Sequence, residues 1–393
     1  MTQNYQKIGD YISVVDNRNI DGNITNLMGI SIDKCYIPSV ANVIGTDLHN
    51  YKVIRKGQFA CSLMQVSRDQ RIPLAMFTSE RPAIMSPAYV MFEVTRTDEL
   101  LPEYLELWFK RAEFDREASF YAVGGVRGSL DWEDFRKMKL PVPSLPEQRK
   151  IVHDYQVITD RIELLRKRNQ NIFDYSMAFF MNKFGWCLHE EMKADEGYVH
   201  LGDFIHVKHG FAFDGENFSE CETNRVLVSP GNFKIGGGFQ NNKPKYYSEL
   251  AEYDEGYVLT TGSLVVTMTD LSKQADTLGY PAIIPKDSKI LYLHNQRVGL
   301  VQMKNDILPK SFIFFLMCCA NYRNYIVATA SGTTVHHTAP ERIENYGFIL
   351  PRNIEDIKVL SRLFELYCSD CNIYNSESHL LNNLLLLVQQ SAL

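Results

Sequence analysis

No apolar run in this sequence is long enough to cross a bilayer. The two longest, Phe312 to Ala320 and Leu384 to Val388, fall well short of the roughly 20 residues a membrane helix needs. The opening MTQNYQKIGDYISVVDNRN is polar and lacks the basic-then-apolar plan of a signal peptide, so a cytoplasmic protein with no membrane partner is expected. The eight cysteines then read as free thiols rather than a disulfide framework. An excess of positive charge is also lacking. The formal net charge of −6 and the absence of any polybasic stretch argue against a non-specific polyanion binder. Screening at physiological salt confines surface fields to about 8 Å, so local DNA-binding patches are still permitted.

Enzyme motifs are missing too. There is no G-x-x-x-x-G-K-[ST] phosphate loop and no H-E-x-x-H; His189-Glu190-Glu191 lacks the second His. Gly236-Gly237-Gly238 has the wrong spacing for a dinucleotide fingerprint and reads as a hairpin turn. The Asn-Pro-Pro-aromatic tetrad that holds a flipped adenine in amino-methyltransferases is absent, and Asn242-Lys243-Pro244-Lys245 is no substitute. Cys368 and Cys371 form a C-x-x-C with no second pair, on a helical face where core packing is the better reading than zinc. His206 and His209 have no further metal ligands clustered near them. No catalytic, cofactor-binding or metal residue is assigned in this chain.

Proline and glycine are absent from two long stretches, Glu147 to Phe184 and Ile354 to Gln390. In the first, Ile151, Tyr155, Ile158, Ile162, Leu165, Asn169, Ile172, Ser176 and Phe179 step alternately by four and three. That is the heptad seam of a long helix laid against another helix. Pro146 suits the first turn, and Glu147 complements the positive end of the helix dipole. In the second stretch Ile357, Leu360, Phe364, Tyr367, Cys371, Tyr374, Ser378, Leu381, Leu385 and Val388 keep the same rhythm. Asn169, Ser176 and Ser378 are polar seam positions, suited to fixing helix register.

The text before each stretch is similar. Gly57 after YKVIRK matches Gly262 after YVLTT, and Leu101-Pro102 matches Leu308-Pro309. Gly125 matches Gly332, and Leu140-Pro141 matches Leu350-Pro351, all in one order. The chain therefore reads as an internal duplication. Short β-branched and aromatic runs such as YKVIRKGQFACSLMQV and PAYVMFEVT predict strands, and LLPEYLELWFKRAEFDREA predicts one helical segment. The expected fold class is α+β: two pseudo-repeated β-rich domains, 1–144 and 185–350, and two long antiparallel heptad helices, 145–184 and 351–393, forming a coiled-coil-like spacer. Such a device suits measurement of distance between two features of a partner, and DNA grooves repeat every ~34 Å.

At these residues the chain resembles the specificity subunits of type I restriction-modification systems. The resemblance lies in LPVPSLPEQRKIV, Leu140 to Val152, after GGVRGSLDWEDF, and in VKHGFAF, VLVSPGNF, LTTGSLVVT, HNQRVGLVQ and ASGTTVHHTAPERIENYGFILP. It covers nearly the whole chain. One departure is RNIEDIKVL after Leu350-Pro351, without the Pro-Glu-Gln of the first copy. The resemblance implies a non-catalytic selector whose two domains are target-recognition domains, each reading one half of a gapped site in double-stranded DNA. It implies paired helices that set the gap and dock two modification subunits, which bring S-adenosylmethionine and methylate adenine. Restriction subunits using ATP and Mg can join the assembly.

That assignment needs polar and basic side chains on loops that reach base edges and phosphates. Candidates in the first domain are Arg68, Asp69, Gln70, Arg71 and Arg127. Counterparts in the second are Thr269, Asp270, Ser272, Lys273 and Gln274, then Thr333, Thr334, His336 and His337. Lys208, Lys234, Lys243 and Lys245 are candidate phosphate contacts. The helix-packing candidates are Ile151, Tyr155, Ile158, Ile162, Leu165, Asn169, Ile172, Leu360, Phe364, Tyr367, Tyr374, Leu381 and Leu385. The competing reading is a structural adaptor whose helices and heads bind protein partners, and the net charge favours it.

Overall fold

The computed structural model describes residues 5–39, 45–123, 128–188, 197–242, 244–332 and 334–391. It divides into two compact units, Met1–Arg161 with Leu380–Leu393, and Ile162–His379. No helix among the described residues is long and apolar enough to cross a membrane.

The first unit is built on a four-stranded antiparallel sheet in the order Ile12–Val14, Val90–Val94, Phe59–Cys61, Leu74–Met76. One helical turn, α1 (Val66–Asp69), links the last two strands. Helices α2 (Pro102–Phe109) and α3 (Ala112–Tyr121) cover the sheet, and α4 (Trp132–Lys137) closes it. Phe59, Phe92, Phe109, Phe114 and Phe135 are buried together. The single helical segment expected over LLPEYLELWFKRAEFDREA is in fact two helices. Arg111 between them is extended, 4% exposed, with its guanidinium 4.1 Å above the Trp108 ring. That inward turn lets α3 fold back and bury Phe114 and Ala118.

A long helix α5 (Leu145–Phe184) follows. Its entry explains the Leu-Pro-Glu-Gln motif. Glu147 accepts hydrogen bonds from the Ser144 backbone N–H at 3.0 Å and hydroxyl at 2.7 Å, as in a capping box. Gln148 is fully buried, donates to Glu99 O at 2.7 Å and Pro143 O at 2.8 Å, and accepts from Leu101 N at 2.8 Å.

The second unit repeats the plan. Its antiparallel sheet runs Ile205–His209, Val298–Met303, Leu264–Thr267, Pro281–Ile283, the same connectivity as the first. Helices α6 (Lys310–Cys318), α7 (Ala320–Ala328) and α8 (Pro340–Glu344) correspond to α2, α3 and α4. The unit adds a five-stranded sheet in which Arg225–Val228 runs parallel to Leu291–His294.

The last helix, α9 (Ile354–Ser391), starts without Pro-Glu-Gln but is capped all the same. Asn353 Oδ1 accepts from Glu355 N at 3.1 Å, and its amide donates to Asp356 at 2.7 Å. Within the second unit α5 and α9 pack antiparallel. Lys183 pairs with Asp356 at 3.4 Å, while Arg168 and Asn169 meet Asp370 at 2.5 and 3.2 Å. Leu165, Asn169, Leu360 and Tyr367 are buried, and Ile162, Ile172, Phe364 and Tyr374 partly so. Ile151, Tyr155, Ile158, Leu381 and Leu385, within the first unit, are also partly buried.

Of the polar seam residues only Asn169 bonds across to the other helix; Ser176 and Ser378 bond back to their own backbone at Ile172 and Asn375. Beyond Ser176 the seam departs from expectation. The buried side chain is Phe180 rather than Phe179, and Phe180 and Phe184 pack on Phe312 of α6 at 5.2 and 5.4 Å. There the helix also packs into the core of the second unit. Cys368 and Cys371 pack against that same core, and burial pushes the Cys368 thiol up to about 12.

Candidate nucleic-acid interface

Two loops of the second unit, far apart in sequence, form one surface. Thr269–Asp270 pairs antiparallel with His336–His337. Thr269 Oγ1 lies 3.0 Å from His337 Nδ1, and Thr338 N donates to Met268 O at 2.9 Å. Asp270 is 4% exposed and accepts three hydrogen bonds of 2.6 Å, from Ser272 N, Thr277 N and the Thr277 hydroxyl. Burial opposes ionisation of this carboxyl, but the bonds from Thr277 and Ser272 prevail and hold it below the usual carboxylate value. Ser272 Oγ accepts from Asp276 N at 2.7 Å. From α7, Arg323 donates to Ala275 O and stands 5.2 Å over the Tyr280 ring. A loop held from so many sides presents Lys273 and Gln274 to solvent, with exposed Thr334 and His337 across the pairing.

Asp270, Thr269 and Ser272 therefore build the loop instead of forming its tip. Asp270 differs most from the solvent-facing reader expected, because its oxygens are taken by the turn it closes. His336 is partly buried, and its Nε2 is enclosed without a hydrogen-bond partner.

The first unit uses the same juxtaposition. Arg68 to Arg71, expected on a loop directly after a strand, lie on and just after α1, because the strand ends at Cys61. Gln65 and Gln70 bracket that turn with φ of 62° and 50°, the left-handed region that most side chains avoid. Arg68 pairs with Asp69 at 2.8 Å and Arg71 with Asp33 at 3.0 Å. Both arginines are exposed, a setting in which such a pair is worth only ~0–1 kcal/mol. From α3, Asp115 accepts from Ile72 N at 3.2 Å and from the buried Lys34 ammonium at 2.8 Å, fixing the end of the loop. Leu130 N donates to Leu63 O at 2.9 Å, and Gly128, at φ +71°, lies against the Ser67 hydroxyl, where a Cβ would collide. Arg127, Lys243 and Thr333 lie outside the described residues.

The lysines divide three ways. Lys245 is exposed on the strand Lys245–Tyr247. Lys208 donates to Gly256 O at 2.8 Å and lies 4.6 Å over the Tyr257 ring, so its ammonium is engaged within the fold. Lys234, expected at a phosphate, turns inward to a small cavity lined by Asn169, Tyr367, Cys371 and Asn375. Desolvation there lowers the pKa of its amine. His206 pairs with Glu344 at 3.1 Å, and among the described residues no three His, Cys, Asp or Glu converge as metal ligands.

A family model described as Type I restriction modification DNA specificity domain matches residues 75–173 and 195–373. The chain belongs to this family. It is a specificity (S) subunit, the non-catalytic part that determines DNA target specificity within its complex. No curated protein matches it by sequence. Its fold is similar to the crystal structure of a type I restriction-modification S subunit from M. genitalium, at 11% identity and TM-score 0.59, covering 100% of this chain and 96% of that one. A chain from work on assembly and conformational transition of the type I R-M system matches at 13% identity and TM-score 0.41, covering 100% and 98%. The HsdS subunit from Thermoanaerobacter tengcongensis matches at 13% identity and TM-score 0.34, covering 99% and 96%.

Sequence reasoning passed over several residues that shape this specificity subunit. Arg323 is a half-buried anchor whose partner is the main-chain carbonyl of Ala275, which no local pattern announces. The turn Asn295–Arg297 lies within HNQRVGLVQ, and none of its residues was a candidate contact. Three polar residues between two apolar strand runs are a turn signal, and Arg297 O accepts from Met268 N at 2.9 Å, beside the paired loops.

Proposed function

We propose that this specificity subunit selects an asymmetric, two-part site in double-stranded DNA, with residues 1–144 and 185–350 as target-recognition domains. The observation that carries the reading is the repeated pairing of loops. In each unit a loop leaving the main sheet meets the segment before the last short helix, 63–71 with 128–130 and 268–274 with 334–338. Both surfaces offer the residue types that read DNA. Arg68, Gln70, Arg71, Lys273, Gln274, Thr334 and His337 are exposed there, and Arg favours guanine while Gln favours adenine. Lys245 is the phosphate contact best supported, being exposed on a strand.

In this reading helices 145–184 and 351–393 set the unread gap and dock two modification subunits. S-adenosylmethionine belongs to those subunits, and ATP with Mg to restriction subunits. Mapping methylated adenines in a host that expresses the chain with its modification subunit tests this. A gapped motif of two unlike halves is expected. Removing seven residues from α5 is expected to change the gap or abolish assembly and leave the bases of each half unchanged. An ungapped motif, or the same gap after the deletion, would refute it. The adaptor reading rests on the net charge of −6 and predicts no sequence preference for any duplex.

A further inference from the structure

The turn Asn295–Arg297 is braced by hydrogen bonds on several sides. Val298 N donates to Asn295 O at 3.0 Å, and Arg297 N to Asn295 Oδ1 at 3.1 Å. Buried His294 closes it from below, with Nε2 at 2.8 Å from Val298 O. Desolvation lowers the His294 pKa to about 4, so at neutral pH the ring is uncharged and Nε2–H donates. On one side Phe211 forms two backbone bonds of 2.8 Å, donating to His294 O and accepting from Gln296 N. Gly210 lets that chain approach, since a Cβ there would collide with Asn295 O. On the other side Met268 N binds Arg297 O, and Met268 O receives Thr338 N. The turn, the Thr269–Asp270 loop and the His336–Thr338 segment thus lie side by side, strands being ~4.8 Å apart.

On this braced turn the side chains of Gln296 and Arg297 are exposed, and neither makes a side-chain hydrogen bond or ion pair among the described residues. Rigid backbone under bare, forked polar groups is the arrangement that direct readout of base edges requires. At the corresponding turn the first unit carries no such side chains. Phe59 faces Phe92 as Leu264 faces Val301, which sets Pro87 and Ala88 at the positions of Gln296 and Arg297. We infer that Gln296 and Arg297 are specificity-determining residues of the second target-recognition domain, contacting base edges at adjacent pairs of its half-site. The inference rests on the two-part reading above and adds a third segment, unique to one domain.

The test uses the complex with the modification subunit and a duplex carrying the mapped motif, with single-base variants in each half. Arg297→Ala is expected to lower affinity for the cognate duplex by roughly 10- to 100-fold. It should erase the preference at one or two base pairs of the second half, with the first half unaffected. Gln296→Ala should act on a neighbouring pair. Arg297→Lys keeps the charge but not the planar fork, and is expected to weaken the base preference while retaining the salt dependence. Unchanged preferences in these variants overturn the inference. So does a uniform loss across all duplexes with a salt slope shallower by about 0.9, the sign of a phosphate contact. A wild-type complex that prefers no base in either half refutes the underlying two-part reading, and the inference with it. Thermal melting of each variant separates a folding defect, since substitutions at these exposed positions should leave the melting temperature essentially unchanged.

Discussion

Asn169 is the place to test whether a polar contact sets the alignment of the two long helices. It is 5% exposed, and its amide donates to the Asp370 carboxylate at 3.2 Å and to Cys371 Sγ at 3.1 Å. A hydrogen bond to a charged group contributes ~1.5–3 kcal/mol. Asp370 keeps Arg168 at 2.5 Å, so Asn169→Ala should fall near the lower end, about 1.5–2 kcal/mol. For a unit of this size that is a drop of roughly 3–8 °C in melting temperature, measurable by calorimetry. Leu164→Ala, on the same helix but 58% exposed, is the control and should change stability by less than ~0.5 kcal/mol. Replacing both partners, Asn169→Leu with Asp370→Leu, should recover the loss, since apolar pairs often match or exceed buried polar ones. The recovered protein is expected to show a broadened spread of distances between spin labels on α5 and α9. If Asn169→Ala costs no more than the control, or the double variant keeps one sharp distance, the alignment role is refuted.

Gln148→Ala removes three hydrogen bonds at a fully buried position and should destabilise the first unit by about 2–3 kcal/mol, read as a lower urea midpoint. Asp270 gives a pH signature. Its folded-state pKa is depressed, so its contribution is complete above the ordinary carboxylate value of ~3.9 and is lost as pH falls through the lower folded value. Urea midpoints measured between pH 2 and 6 should therefore fall less steeply below pH 4 in Asp270→Asn than in wild type. Equal acid limbs would remove Asp270 as the loop's organiser.

Much of the architecture could be read from the sequence because it is written in periodic or repeated signals. The two heptad helices follow from apolar spacing alone, and the matched Gly and Leu-Pro positions gave the duplicated plan. What escaped was set by contacts between distant segments. Nothing local shows that Arg111 would turn inward onto Trp108 and split a helical pattern, or that Phe180 would replace Phe179 where α5 meets α6. The pairing of Thr269 with His337 joins residues from separate loops by main-chain bonds, so residue type announced the chemistry but not the meeting. Lys234 carries the same lesson. Composition offers a cation, and only the fold decides that it points into a cavity.

Gln148 makes a joint of a particular kind. Every group it grips, Glu99 O, Pro143 O and Leu101 N, is main chain. A fastening addressed to the backbone is blind to the side chains around it. The recognition domain mounted there can therefore change side chains around Gln148 without loosening this one fastening, as an exchangeable tool bit does in a common chuck.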